Sequence, residues 1–216
     1  MSEQINRTLE NWRRQHSGES GYFTKLPQHR SWRIYDEMPP WFLQLAEPCA
    51  TDTALEIGCG YGEWMVPLAR LIDHVDGFDI HESLREKFEE IMERDGIMNT
   101  EMMVGAGAGI PFADRGYSLI YSISVFQHLP RELVHIYLQG IATHLNPGGR
   151  AVLHFLNGTY PGAHSELPDM LAWQHTGIVS VGWTRDEVTA ACEAAGLRVR
   201  EARISDAVCV RVEAAR

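Results

Sequence analysis

The sequence predicts an α/β fold: an open, doubly wound sheet of seven strands, with helices on both faces and an antiparallel last strand. Three observations carry this expectation. From Thr53 onward, short apolar runs alternate with segments of helical periodicity, the pattern of strand–helix–strand units whose strands lie parallel. The first of these runs ends in a glycine-rich turn, Gly58-Cys59-Gly60-Tyr61-Gly62, that leads straight into a helical pattern. The last two runs, Leu197 to Arg203 and Ala207 to Val212, are joined by too few residues to hold a crossover helix, so they pair antiparallel.

Taken in order, Thr53 to Ile57 is the first strand, closed by Gly58. The helix after it starts near Trp64 and runs to Ile72, because Pro67 is tolerated only in a first turn. His74 to Ile80 forms the second strand. Ser83 to Arg94 is an amphipathic helix with Leu84, Phe88, Ile91 and Met92 turned inward. Thr100 to Val104 is the third strand, and the long apolar run Tyr117 to Val125 reads as a central strand buried on both faces. Arg131 to His144 is helical and stops at Asn146-Pro147-Gly148-Gly149, after which Arg150 to Leu156 is the fifth strand. Asn157 to Gly182 shows no clear period. Thr184, with Glu187 at the capping-box position, then starts a helix that runs to Ala195 and stops at Gly196, before the final strand pair. The first fifty residues differ from the rest. They are rich in aromatic and basic groups, among them Trp12, Arg13, Arg14, Tyr22 and Phe23, and end at Pro39-Pro40. Two short helices joined by a loop are expected there. Residues 1–50 thus read as a cap or lid on a main domain of residues 51–216, within one globular unit.

Composition narrows the function. The 216 residues carry a formal charge of −10, which disfavours a grip on nucleic-acid phosphates. No stretch approaches the roughly 20 apolar residues that cross a bilayer, and the polar N-terminus has no apolar signal core, so a cytoplasmic protein is expected. Cys49, Cys59, Cys192 and Cys209 are scattered without metal-ligand or redox spacing, so reduced thiols and no zinc site are expected.

Glu56-Ile57-Gly58-Cys59-Gly60-Tyr61-Gly62 is the most informative segment. It leaves a strand and enters a helix, the context of a nucleotide-binding turn. A dinucleotide fingerprint reads G-x-G-x-x-G; here the spacing is G-x-G-x-G, with Glu56 two residues ahead. A carboxylate there is poorly placed for a pyrophosphate and suits a cationic ligand. About twenty residues on, the second strand ends at Asp79, where an acid can accept hydrogen bonds from a ribose diol.

These segments resemble motif I and the second-strand acid of the class I S-adenosylmethionine-dependent methyltransferases, which have a Rossmann-like sheet. Ile110-Pro111-Phe112-Ala113-Asp114 through Tyr117 to Ser122 resembles the segment leading into their fourth strand, and Leu145-Asn146-Pro147-Gly148-Gly149 the turn before their fifth. The likeness spans Thr53 to Arg216 and leaves out the first fifty residues. It implies that Gly58, Cys59, Gly60 and Gly62 line the methionine part of the cofactor and that Glu56 orients that part. It further implies that Asp79 holds the ribose hydroxyls, that Ile80 lies against the adenine, and that Ala106, Gly107 and Ser122 contribute from the ends of strands three and four. One departure stands out: relatives often carry an acid after the third strand to bond the adenine amine, whereas this chain has Gly105-Ala106-Gly107-Ala108-Gly109.

Many small-molecule methyltransferases resemble this chain in placing a histidine near the His128 position after strand four. A hydroxyl acceptor must lose its proton, and histidine titrates in the useful range, so His128 is the candidate general base; packing or capping before Pro130 is its structural alternative. The DPPY-like signature of amino-group methylation on bases is absent from this loop. On the acceptor side, Tyr22, Arg30, Arg33, Tyr35, His154 and Asn157 are candidates, with Tyr160, His164, Trp173 and His175 in the unpatterned stretch. Its histidines show no ligand spacing that would support a metal. The expected function is methyl transfer from S-adenosylmethionine to a hydroxyl or amine of a small metabolite, sugar or natural-product intermediate, with S-adenosylhomocysteine as product. The alternatives are a non-catalytic cofactor-binding protein acting through partners and a nucleotide-cofactor oxidoreductase. A small-molecule acceptor is the expected partner, without nucleic acid or membrane, and a homodimer is compatible with the sequence.

Overall fold

The computed structural model describes residues 3–16, 37–165 and 180–215. The elements are α1 (Glu3–His16), α2 (Pro40–Ala46), β1 (Thr53–Ile57), α3 (Met65–Ala69), β2 (His74–Asp79), α4 (Arg85–Asp95), β3 (Thr100–Val104), β4 (Tyr117–Ser122), α5 (Arg131–His144), β5 (Leu145–Asn157), β6 (Ala163–His164), β7 (Ser180–Trp183), α6 (Arg185–Ala194), β8 (Leu197–Ile204) and β9 (Ala207–Ala214). The sheet runs β3-β2-β1-β4-β5, and β9 and then β8 continue it beyond β5. Among these, β9 alone is antiparallel to its neighbours, on both sides. That reversed strand follows from the two-residue link, and it departs from an all-parallel dinucleotide sheet.

The two faces bury separate cores. On one, α1, α5 and α6 cover Leu55, Ile57, Ile120, Leu153 and Phe155. On the other, α2, α3 and α4 cover Ala54, Val75, Leu119, Tyr121 and Val152. Helices on both faces are therefore present as expected, and every residue of β4 but Ser118 is buried, as a central strand requires. The capping box at α6 is formed: Thr184 Oγ1 accepts from the Glu187 N–H, and the Glu187 carboxylate accepts from the Thr184 N–H at 2.7 Å.

Four boundaries differ from expectation. The described residues hold nine strands rather than seven, because β6 and β7 form inside the unpatterned stretch, where β7 adds to the far end of β5. Such strands are too short to show a period. Strand four ends at Ser122 instead of Val125, since Ser124 takes the left-handed region at φ 61° and turns the chain out of the sheet. The first crossover helix is confined to Met65–Ala69. Strand five begins at Leu145, its opening residues bulged around Gly148, before the regular register resumes at Arg150.

A buried ion pair ties α2 to the sheet. Arg150 donates to both Asp52 carboxylate oxygens, at 3.0 and 2.6 Å, and to the carbonyls of Ala46, Glu47 and Ser118. Burial pushes the Asp52 carboxyl up, but the hydrogen bonds from Arg150, Ser118 and the Cys49 N–H outweigh it and hold the group at about 2.

Candidate functional site

A cavity of about 300 Å³ opens at the carboxyl ends of β1, β2 and β4, where a doubly wound sheet binds its ligands. Its floor is the glycine turn. The Gly58 and Cys59 N–H groups donate to the Phe78 carbonyl, which ties the turn to β2. Gly60 has φ 56° and nothing within 4 Å of where a Cβ would stand, so its bare backbone faces the cavity. Gly62 serves the turn from beneath: a Cβ there would meet Met92 Cε at 2.5 Å and Phe88 at 2.9 Å, so it lets α4 pack close and does not line the cavity.

Two acids from neighbouring strands flank this floor. Glu56 on β1 is 2% exposed and accepts a hydrogen bond from the Tyr121 hydroxyl at 3.0 Å. Burial holds its carboxyl well above the usual carboxylate range, and the tyrosine offsets only part of that. Asp79 at the end of β2 accepts from the Gly60 and His81 N–H groups, each at 3.1 Å. Burial lifts it to about 6 against those hydrogen bonds. Among the described residues no lysine or arginine lines the cavity. Two acids with no lysine or arginine beside them in the described lining, and with only the His81 ring 3.9 Å from Asp79, are what a positively charged ligand would stabilise.

The structure brings together Glu56, Gly58, Cys59, Gly60, Asp79, Ile80, Gly107 and His128 around the cavity. Ser122 lies just below, its hydroxyl bonded to the Ile57 carbonyl, and Ala106 lies outside the lining, its carbonyl accepting from Arg13 at 2.7 Å. His154 sits behind the loop after β4, where its Nδ1 accepts the Ser124 N–H at 3.4 Å; burial keeps its ring pKa below the ordinary value. Asn157 is spent on the β5 end, bonded to the Ser205 carbonyl and the Thr159 N–H. Tyr22, Arg30, Arg33, Tyr35, Trp173 and His175 lie outside the described residues.

Tyr61 of the glycine turn also lines the cavity, and the far wall comes from segments that the motifs did not mark: Leu9 and Trp12 of α1, with Glu63, Trp64, Phe78, Gln127 and Tyr137. Trp12 packs its ring 5.2 Å from that of His128 and donates to the His128 carbonyl at 3.3 Å, while the His128 Nε2 meets the Gln127 amide nitrogen at 3.0 Å. The aromatic content of the first fifty residues was the one sequence signal for this wall, and it did not say where the segment docks.

The sheet order, the reversed β9 and a glycine turn between two acids define the class I methyltransferase architecture, whose cofactor is S-adenosylmethionine. Comparison with known proteins agrees. Residues 54–149 match the family model described as a methyltransferase domain. A protein-L-isoaspartate O-methyltransferase of Bradyrhizobium sp. (strain ORS 278) is 31% identical over 80 residues, 37% of either chain. The CcbJ methyltransferase from Streptomyces caelestis superposes with a TM-score of 0.64 at 20% identity, over 85% of this chain and 96% of that one. An S-adenosylmethionine-dependent methyltransferase from Clostridium acetobutylicum superposes at 0.68 with 9% identity, over 89% of this chain and 96% of its own. This chain spans less than half the length of the curated relatives it matches. Residues 54–149 thus carry the likeness to a methyltransferase domain, and the sheet around them has the fold of S-adenosylmethionine-dependent methyltransferases.

The cavity suits that cofactor. The open backbone at Gly60 admits a ligand against the chain, and Glu56 and Asp79 would accept hydrogen bonds from ammonium or hydroxyl groups of a ligand seated there. Among the described residues no helix is long and apolar enough to cross a membrane.

Proposed function

We propose that the chain transfers a methyl group from S-adenosylmethionine to a hydroxyl or amine of a small metabolite, sugar or natural-product intermediate. The observation that carries this reading is the cavity of about 300 Å³, in which the acid-flanked glycine turn faces a His128–Gln127 pair. A volume of this order is that of a small-molecule pocket. The cofactor supplies an electrophilic methyl on a sulfonium, so the protein's work is alignment, charge placement and proton removal. Glu56 orients the amino-acid end and Asp79 accepts the ribose hydroxyls. Gly58, Cys59 and Gly60 give the backbone floor, with Gly62 buttressing it, and Ile80 bounds the adenine side with Gly107. His128 takes the acceptor's proton, with Trp12 and Gln127 holding its ring. Residues 1–50 act as a cap, of which α1, on the cavity, and α2, on the opposite face of the sheet, are described; Tyr22, Arg30, Arg33 and Tyr35 within it, with His154 and Asn157 across the sheet edge, shape the acceptor side.

The curated relatives are named for methylation of protein isoaspartate, a carboxylate.

Thermal unfolding with S-adenosylhomocysteine tests the cofactor step, with NAD and NADP as controls. At about 100 times its dissociation constant the product should stabilise by about 2.7 kcal/mol, or roughly 5–10 °C for a chain of this size. Labelled-methyl transfer to a panel of small hydroxyl and amine acceptors, with an isoaspartyl peptide included, tests the rest. A shift with NAD alone would sink the cofactor assignment, and turnover of the peptide alone would sink the small-molecule reading.

A further inference from the structure

We propose that the Tyr137 hydroxyl hydrogen-bonds the nucleoside end of the cofactor, in place of the carboxylate that the loop after β3 lacks. The inference rests on the cofactor reading above. Tyr137 stands on the sheet-facing side of α5 and is 4% exposed. Its ring is stacked between Phe78 and Phe126, with centroids 6.1 Å apart and planes 27° from parallel on each side. The side chain reaches the cavity wall beside Phe78 and Asp79, and among the described residues its hydroxyl makes no hydrogen bond. The hydroxyl is not one of the buried unpartnered polar atoms, so it is open to the cavity and available to a group that arrives with the ligand. Burial, with the charge of Asp79 adding to it, pushes the phenol pKa up, so the group stays protonated and can donate or accept.

The loop after β3 leaves this role open. Residues 105–109 contain no carboxylate. The Ala106 carbonyl is engaged by Arg13, and Leu9 packs so closely on Gly107 that a Cβ there would lie 2.5 Å from Leu9 Cδ2. With the ribose diol assigned to Asp79, Tyr137 in the adjoining wall faces the same nucleoside.

Tyr137→Phe removes the oxygen and keeps the ring in its stack. Calorimetric titration of the full chain with S-adenosylhomocysteine should show a dissociation constant about three- to tenfold weaker than wild type, the range of one neutral hydrogen bond. The same loss is expected with 5′-methylthioadenosine, which keeps the nucleoside and lacks the amino-acid end. The melting temperature without ligand should be unchanged. Equal affinity of variant and wild type would overturn the inference. So would a loss confined to S-adenosylhomocysteine, or one accompanied by a lower ligand-free melting temperature, which would make Tyr137 structural. Failure of wild type itself to bind S-adenosylhomocysteine would instead overturn the cofactor reading, and this inference with it.

Discussion

Asp79→Asn isolates the cost of keeping a carboxylate in the wall of the cavity. Burial lifts this carboxyl from 3.8 to about 6 despite hydrogen bonds from the Gly60, His81 and Ile80 N–H groups. The folded protein therefore keeps a proton that the unfolded chain has already released. The group's contribution favours the native state below about pH 4 and is lost as the pH rises towards about 6. Integrated over that window, the ionised aspartate disfavours folding by about 3 kcal/mol at pH 7 and about 1 kcal/mol at pH 4.5. Asparagine carries no such charge. Its single carbonyl replaces two carboxylate oxygens, however, so one N–H loses its acceptor, at about 1–2 kcal/mol at either pH. The variant should thus be about 1–2 kcal/mol more stable than wild type at pH 7, some 2–8 °C in melting temperature. Near pH 4.5 it should be equal or slightly weaker. The hydrogen-bond loss cancels in the difference between the two conditions, leaving about 2 kcal/mol from the charge alone. Urea unfolding of both proteins at both pH values measures it. An effect of Asp79→Asn that is the same at pH 4.5 and 7 would refute the reasoning. The same variant should bind S-adenosylhomocysteine some ten- to a hundredfold more weakly, as loss of a bond to a charged group implies, so that stability and binding move in opposite directions.

Wild-type affinity for S-adenosylhomocysteine should itself weaken about tenfold from pH 7 to pH 5, because the ribose hydroxyls need an ionised Asp79 whose free value is about 6; titration in a buffer series checks this, and a flat profile would remove Asp79 from the ribose contact. His128→Ala should abolish most transfer to a hydroxyl acceptor, by about 10²–10⁴-fold, with cofactor affinity nearly unchanged; survival of transfer at comparable binding would leave the histidine with its packing against Trp12 alone. Arg150→Met should cost about 3–5 kcal/mol in urea unfolding, since it strands the buried Asp52 carboxylate without its partner, whereas pairing it with Asp52→Leu should recover much of that loss.

Local signals that depend on nearby residues were legible in the sequence. Thr53–Ile57, Thr100–Val104 and Arg131–His144 sit where their runs predicted, because period, proline and glycine act over a few residues. The glycine turn and Asp79 were readable for the same reason, and the cavity forms around them. What escaped was set by distant contacts. Ile123 and Val125 continue the apolar run of β4, and nothing local shows that Ser124 between them turns left-handed. Leu9 and Trp12 have the apolar spacing of any surface helix, and their docking on the cavity depends on partners about a hundred residues away, such as Gly107 and His128. Tyr137 carried no signal beyond its place in the Arg131–His144 helix, since no pattern marks a hydroxyl that reaches the edge of a cavity.

The Arg150 clamp has a consequence for how the domain can be cut. The segment that matches the family model, residues 54–149, stops one residue short of Arg150 and begins two residues after Asp52. It would also lose the regular part of β5, whose Ala151, Val152, Leu153 and Phe155 are fully buried between β4 and β9. Every wall of the cavity except α1 lies inside that segment, yet most of β5, which pairs with β4 on the side away from β1, lies outside it. The autonomous folding unit is therefore wider than the conserved chemistry, and an excised 54–149 fragment should collapse without cooperative unfolding, while the sheet closes only after the chain's last strand has been made.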